Sequence, residues 1–287
     1  LALGLPSLMV TGSHIPDDRN GIKFNLPSGE ILKADEAGIR AQRVELPASL
    51  FTPDGGLVPG AGRPLPPEDP AGYRAYVARY LDFFPAGCLA GLTIGLYEHS
   101  SVAREAIYEV LTGLGAEVGR LGRSEVFIPV DTEAIRPEDV RLGRDWAATG
   151  RYQALVSADG DGDRPLVGDE RGNWLRGDIV GILCARYLGA EGVATPVSCN
   201  TALEQTGWFP AVRRTRIGSP FVIEGMAALK AGGLDPVVGY EANGGFLTAT
   251  DLVRDDRRLP ALPTRDALLV PIVLLLAARD QGLSLSA

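Results

Sequence analysis

Residues 152–170 read YQALVSADGDGDRPLVGDE. The run YQALVSA carries the apolar, partly β-branched content of a buried strand, and it leads straight into Asp159, Asp161 and Asp163, with glycine between them. A strand that ends in a functional loop is the building unit of a layered α/β protein. Three carboxylates at alternate positions repel one another unless water or a cation screens them. In an extended loop, positions i, i+2 and i+4 face the same way and can converge on one ion. Oxygen-only ligation points to Mg²⁺ or Ca²⁺. A helix–loop–helix calcium loop would place glycine sixth and glutamate twelfth. Glu170 satisfies the twelfth place, but the sixth is Arg164, followed by Pro165, and both flanks read as strands. A solvated acidic turn without metal is a further alternative. Three carboxylates around Mg²⁺ leave positions for water and a phosphate oxygen, and Arg164 suits a phosphate or carboxylate partner.

Outward from this stretch, strands and helices alternate. SLMV (7–10) and LTIGLY (92–97) read as buried strands. Ser101 is expected to cap a helix whose Val102, Ala106, Ile107, Val110, Leu111 and Leu114 repeat at helical spacing until Gly113 and Gly115 end it. DIVGILCARYLG (178–189) reads as a buried helix capped by Asp178, and DPVVGYE (235–241) as a strand. Residues 52–72, dense in proline and glycine, are expected to link two domains. RLPALPTRDA (258–267) is expected to lead into a last core helix at ALLVPIVLLLAA (267–278), which is too short to span a bilayer.

The fold class expected is α/β: consecutive α/β domains with mixed, mostly parallel sheets. The boundaries expected are 1–62, 63–173, 174–272 and 273–287. With 287 residues, 45% hydrophobic and 22% charged, the composition is that of a globular protein. A net charge of -8 argues against nucleic acid and anionic membrane as partners. Cys88, Cys184 and Cys199 are well separated and form no C-x-x-C, which argues against a disulfide framework or a zinc site and suits a reducing cytoplasm.

VTGSHIPDDRNGIKF (10–24) leaves a strand, turns at Gly12 and presents Ser13 beside His14. Neighbouring side chains seldom point at each other, so the pair alone is weak evidence for chemistry, and Ser13 could simply cap a turn. NGIK (20–23) is expected to form a tight turn that returns Lys23 to the loop.

TGSHIPDDRNGIKF resembles the phosphoserine loop of the α-D-phosphohexomutases, in the form found in the bacterial phosphomannomutase/phosphoglucomutase group. DGDGDR (159–164) is similar to that family's magnesium loop. RTRIGSPFVI (214–223) and GYEANGGFL (239–247) are similar to its third-domain segments, the latter its sugar-binding loop. The four motifs stand in family order across nearly the whole chain.

The resemblance implies a phosphohexomutase-like fold and Mg²⁺ held by Ser13, Asp159, Asp161 and Asp163. It implies transfer of phosphate between C6 and C1 of a mannose or glucose phosphate through phosphoserine at Ser13, with hexose 1,6-bisphosphate as intermediate and activator. His14 and Lys23 are candidates for proton transfer, and Arg164 for charge stabilisation. Arg216, Gly218, Glu241 and Asn243 are candidates for substrate binding, although RRTR (213–216) could equally be a solvated strand end.

The sugar loop of many members reads G-E-x-S-G-H. Asn243 stands here at the serine position and Gly245 at the histidine position, so the role of that histidine does not carry over. The start of the first domain and the whole fourth domain have no counterpart, so the chain is expected to be a piece of a longer protein. Rival readings are a phosphoglucosamine mutase, a metal-dependent phosphatase or phosphotransferase on sugar phosphates, and a non-catalytic sugar-phosphate or calcium-binding protein. Small-molecule hexose phosphates are the expected partners; oligomeric state is not readable.

Overall fold

The computed structural model describes residues 4–16 and 18–287. Its first sheet is a small antiparallel one, ordered β1 (Ser7–Thr11), β2 (Gly21–Leu26), β3 (Gly29–Glu30), followed by helix α1 (Lys33–Arg40). Residues 52–70 contain no helix, and their only pairing is the isolated bridge Phe51–Leu57.

The second sheet follows α2 (Ala71–Phe83). It comprises β4 (Thr93–Tyr97), β5 (Glu117–Leu121), β6 (Ala154–Ala158) and β7 (Pro165–Gly168), ordered β5-β4-β6-β7. Helices α3 (Arg104–Gly113) and α4 (Pro137–Ala147) connect its parallel strands, while β7 folds back antiparallel to β6. That reversal puts the acidic loop between two paired strands.

The third sheet begins after α5 (Gly177–Tyr187). It contains β8 (Gly192–Pro196) and, after the short α6 (Ala202–Gln205), β9 (Ala211–Thr215). Helix α7 (Ser219–Ala231) leads to β10 (Val237–Tyr240) and β11 (Phe246–Thr248). A hairpin, β12 (Leu252–Arg254) and β13 (Arg257–Leu259), stands apart. Strand β14 (Leu262–Asp266) completes the order β14-β11-β10-β8-β9, parallel at β10-β8-β9 and antiparallel at β10-β11-β14. The last helix is α8 (Leu269–Gln281). The architecture is mixed α/β, with parallel pairs running to one edge of each larger sheet and antiparallel pairs to the other.

Leu269 to Leu276 are all buried in α8. All but Pro271 share one apolar cluster with Ile94 and Val156 of the second sheet and Val193 and Val238 of the third. Each such side chain contributes about 1.5–3 kcal/mol on burial. Pro271 falls in the first turn of α8, where no backbone N–H is needed. The helix runs straight across the boundary expected at 272/273.

Several expectations are corrected. SLMV is a strand, but Leu8 and Val10 are each 68% exposed: β1 pairs only with β2, and α1 leaves an open groove over Leu8, Phe24 and Leu26. Val102 is exposed, and α3 starts at Arg104 with Ala103 before it. Ser101 instead donates to the Asp159 carbonyl at 2.7 Å, tying the helix entry to the acidic loop. Asp178 lies inside the first turn of α5, accepting from Arg176 and from the Asn200 N–H, so it is not the cap. RLPALPTRDA holds two strands, because β14 is an edge strand and an edge tolerates proline. Among the described residues no helix is long and apolar enough to cross a membrane.

Candidate active site

The ends of β1 and β6 meet. Ser13 is 9% exposed and has φ 51, in the left-handed region that costs a non-glycine residue about 1–2 kcal/mol. Its N–H donates to Thr11 Oγ1 at 2.8 Å, and its hydroxyl donates to Asp159 Oδ2 at 2.6 Å. Thr11 Oγ1 donates in turn to Asp161 Oδ2 at 3.0 Å. The loops touch through their backbones as well: a Cβ on Gly160 would lie 2.3 Å from the Ser13 carbonyl oxygen. Only glycine allows that approach.

The acidic loop is a tight turn, not the extended segment expected. The Gly162 N–H donates to the Asp159 carbonyl, and Gly162 has φ 77. Asp159 Oδ1 accepts from the N–H groups of Asp163 and Arg164, both at 3.1 Å, which locks the carboxylate inward. One oxygen from each of Asp159, Asp161 and Asp163 lies within 4.8 Å of the others.

Burial and the two neighbouring carboxylates push Asp159 up to about 7. Burial, the largest single influence, opposes charge on Asp161 too, but the hydrogen bonds with Lys23, Asp159 and Thr11 and the Lys23 charge together bring Asp161 down to about 2. Lys23 Nζ reaches Asp161 Oδ2 at 2.5 Å and Asp163 Oδ2 at 2.6 Å. Pairing of β1 with β2, which sets Met9 opposite Lys23, returns the lysine to the loop; the expected NGIK turn is instead the entry to β2. Asp161 Oδ1 and Asp163 Oδ1 are buried and have no hydrogen-bond partner among the described residues. Oriented, unpaired carboxylate oxygens beside Asp159 and Ser13 fit a hard divalent cation of the magnesium class.

His14 Nδ1 lies 3.2 Å from Ser13 Oγ and accepts from Arg164 Nη1 at 3.0 Å. Burial, reinforced by the Arg164 charge, lowers the His14 pKa, so its ring is a neutral acceptor beside the serine. The left-handed backbone at Ser13 turns both neighbouring side chains toward one place.

A cavity of about 570 Å³ opens next to these loops. Lys23, Asp163 and Arg164 line one wall; Gly218, Glu241 and Asn243 line the other. Residues 241–245 form a turn in which the Gly244 N–H donates to the Glu241 carbonyl and the Glu241 N–H to the Gly245 carbonyl. Asn243 Oδ1 accepts from the Gly245 N–H at 3.0 Å, while the Asn243 carbonyl accepts from Thr132 Oγ1 at 2.7 Å. A Cβ on Gly177 would fall 2.3 Å from the Gly244 nitrogen, so the turn is pressed onto the start of α5. Burial raises the pKa of Glu241, with Arg265 and Arg164 opposing.

Arg216 is not brought into this group. It is exposed, outside the cavity lining, with its guanidinium 5.6 Å from the Phe221 ring centroid. Thr11, Glu30 and Arg265 belong to the site and were not anticipated. Glu30 accepts from Ser219 Oγ and Thr264 Oγ1.

A family model described as phosphoglucomutase/phosphomannomutase, alpha/beta/alpha domain III, matches residues 176–287. The chain is 45% identical over 280 residues to a phosphomannomutase of Salmonella muenchen, covering 98% of this chain and 56% of that protein. It is 48% identical over 271 residues to a phosphomannomutase of Sinorhizobium fredii (strain NBRC 101917 / NGR234), covering 94% of this chain and 56% of that protein. The chain thus spans little more than half the length of these relatives. In fold it is similar to the crystal structure of a phosphoglucomutase/phosphomannomutase family protein from Burkholderia thailandensis. The TM-score is 0.67 at 20% identity, over 97% of this chain and 58% of that one.

Proposed function

We propose, for a chain that belongs to the α-D-phosphohexomutase superfamily, that it carries the phosphoryl-transfer centre of a phosphomannomutase. The protein would move phosphate between C6 and C1 of a mannose phosphate. The observation that carries this reading is the 2.6 Å hydrogen bond between Ser13 Oγ and Asp159 Oδ2, across 146 residues of sequence. It sets the hydroxyl to be phosphorylated against a cluster of three carboxylates.

Asp159, Asp161 and Asp163 would hold Mg²⁺ together with an oxygen on Ser13. Bound there, the ion would offset charge on the phosphoryl oxygens. In the forward step the phosphoryl group leaves Ser13 Oγ for a sugar hydroxyl: the Ser13 O–P bond breaks and a sugar O–P bond forms. The sugar hydroxyl would lose its proton to a base of the site: the neutral ring of His14 can take it, whereas Lys23, paired as a cation with Asp161 and Asp163, would first have to give up its own. The hexose 1,6-bisphosphate so formed reverses in the cavity and returns its other phosphate to Ser13. Arg164, which also orients His14, would offset charge on the equatorial oxygens. Glu241 would accept from sugar hydroxyls at the opposite wall. A metabolic role of this kind fits a cytoplasmic protein.

The test is mass spectrometry of the full-length protein. Phosphate is expected on Ser13, with occupancy rising on incubation with hexose 1,6-bisphosphate, and Ser13→Ala should abolish turnover of mannose 1-phosphate. A Ser13→Ala variant with full activity would refute the mechanism. Release of inorganic phosphate in place of the isomeric sugar phosphate would mark a phosphatase. Faster turnover of glucose or glucosamine 1-phosphate than of mannose 1-phosphate would reassign the substrate.

A further inference from the structure

Arg265 sits on β14, and its side chain is 11% exposed. It donates from Nη2 to Asp163 Oδ2 at 2.8 Å and from Nη1 to Glu241 Oε2 at 3.4 Å. These two carboxylates belong to different loops, one at the end of β6 and one at the end of β10. The stem of Arg265 passes directly over Gly245: a Cβ there would lie 2.6 Å from Arg265 Cδ and 2.9 Å from Cγ. The glycine that ends the 241–245 turn therefore leaves room for this arginine.

Asp163 Oδ2 also receives Lys23 Nζ. Two cations on one oxygen fix the carboxylate's rotation and leave Oδ1 free of hydrogen bonds among the described residues. Glu241 has a different balance. It is 5% exposed, and Arg265 is its only ion-pair partner among the described residues. A planar guanidinium presents its donors in a rigid fork, whereas the three donors of an ammonium rotate, so the arginine sets the directions of both carboxylates more tightly than a lysine would.

We propose that Arg265 is a positioning residue, a strut that sets the spacing between the carboxylate of the acidic loop and the carboxylate on the opposite wall of the cavity. Its effect on substrate binding rests on the function proposed above; its effect on the order of the 241–245 turn does not.

The experiment uses full-length protein and the variants Arg265→Met, Arg265→Lys and Gly245→Ala. Without ligand, hydrogen exchange of the 241–247 amides should quicken about tenfold or more in Arg265→Met, while β6 amides keep their rates. With mannose 1-phosphate, KM should rise about tenfold and kcat change less than about threefold. Mg²⁺ affinity by calorimetry should stay within about threefold, because Lys23 still holds Asp163. Arg265→Lys should keep the charge but not restore KM. Gly245→Ala, whose methyl would meet the Arg265 stem, should raise KM in the parent.

Unchanged loop exchange together with unchanged KM in Arg265→Met overturns the proposal. So does an unchanged KM in Gly245→Ala, or a loss of Mg²⁺ affinity in Arg265→Met without any KM change. If Arg265→Met does not fold, Arg265→Lys and Gly245→Ala carry the same comparisons. If the parent protein turns over no hexose phosphate, the functional reading fails, and the exchange rates alone decide the strut.

Discussion

Glu30 accepts a hydrogen bond of 2.5 Å from Ser219 Oγ, joining the end of the N-terminal sheet to the first residue of α7. Its other carboxylate oxygen takes Thr264 Oγ1 at 2.7 Å, beside the contact of Gly29 with Pro263. No N-terminal sheet residue enters the large apolar cluster, so polar contacts of this kind fasten the serine's carrier. Glu30→Ala is expected to loosen that attachment by about 1–2 kcal/mol. Hydrogen exchange should show faster opening of β2 and β3, with β4 and β6 unchanged.

Gly160→Ala should separate the reacting loops. The added methyl meets a backbone carbonyl at 2.3 Å and has no flexible neighbour to displace. A shift approaching 1 Å at the serine is expected to lower turnover about 100-fold. The unfolding midpoint should move far less than the activity, and circular dichroism melts beside rate assays will show whether it does.

Asp159→Asn is expected to trade metal affinity for stability. The carboxylate is fully buried and is pushed up to about 7 by burial and by Asp163 and Asp161. The amide keeps an oxygen for the N–H groups of Asp163 and Arg164 and removes one negative charge. In chelator-treated protein the variant should melt higher than the parent, while Mg²⁺ affinity falls about tenfold or more. A lower melting point without metal would refute the electrostatic account.

His99 gives a pH dependence away from the site. It is fully buried, with Nε2 donating to the Ala158 carbonyl at 2.7 Å and Nδ1 unpartnered among the described residues. Burial lowers its pKa. The neutral ring is thus favoured in the fold, and its contribution to stability is complete above the unfolded value of about 6.5. That contribution is lost as pH falls from there toward the lower folded value, since only the unfolded chain gains the proton. Urea unfolding between pH 7.5 and 5 should show a shallower slope for His99→Asn, a residue that also accepts the φ of 30 found there.

The strand YQALVSA, the acidic turn that follows it, the amphipathic α3 and the apolar α8 were legible because each is coded locally, by runs or by periodicity. Ser13, Lys23 and Asp159 to Asp163 were legible as motifs, though the shape of the acidic loop was not: Gly162 adopts a left-handed conformation and curls it into a turn. The burial of β1 was misjudged because apolar content does not reveal whether another layer covers a strand. Arg265 escaped notice for a different reason. It stands in a proline-flanked segment, and its importance comes from two loops that meet only in space. The orientation of His14 likewise depends on a positive φ at Ser13 that no spacing announces.

Helix α8 fills a single apolar cluster beneath both larger sheets. The acidic turn and the opposite cavity wall therefore ride on one chassis and cannot part without opening that core. The small sheet bearing Ser13 is bolted on by polar contacts, among them Glu30 with Ser219 and Thr264 and Lys23 with Asp161 and Asp163. If, as proposed, a doubly phosphorylated sugar somersaults beneath that sheet, tilting the sheet would widen the space for it, and a compound wedged there would jam that movement without touching Ser13 or the acidic turn.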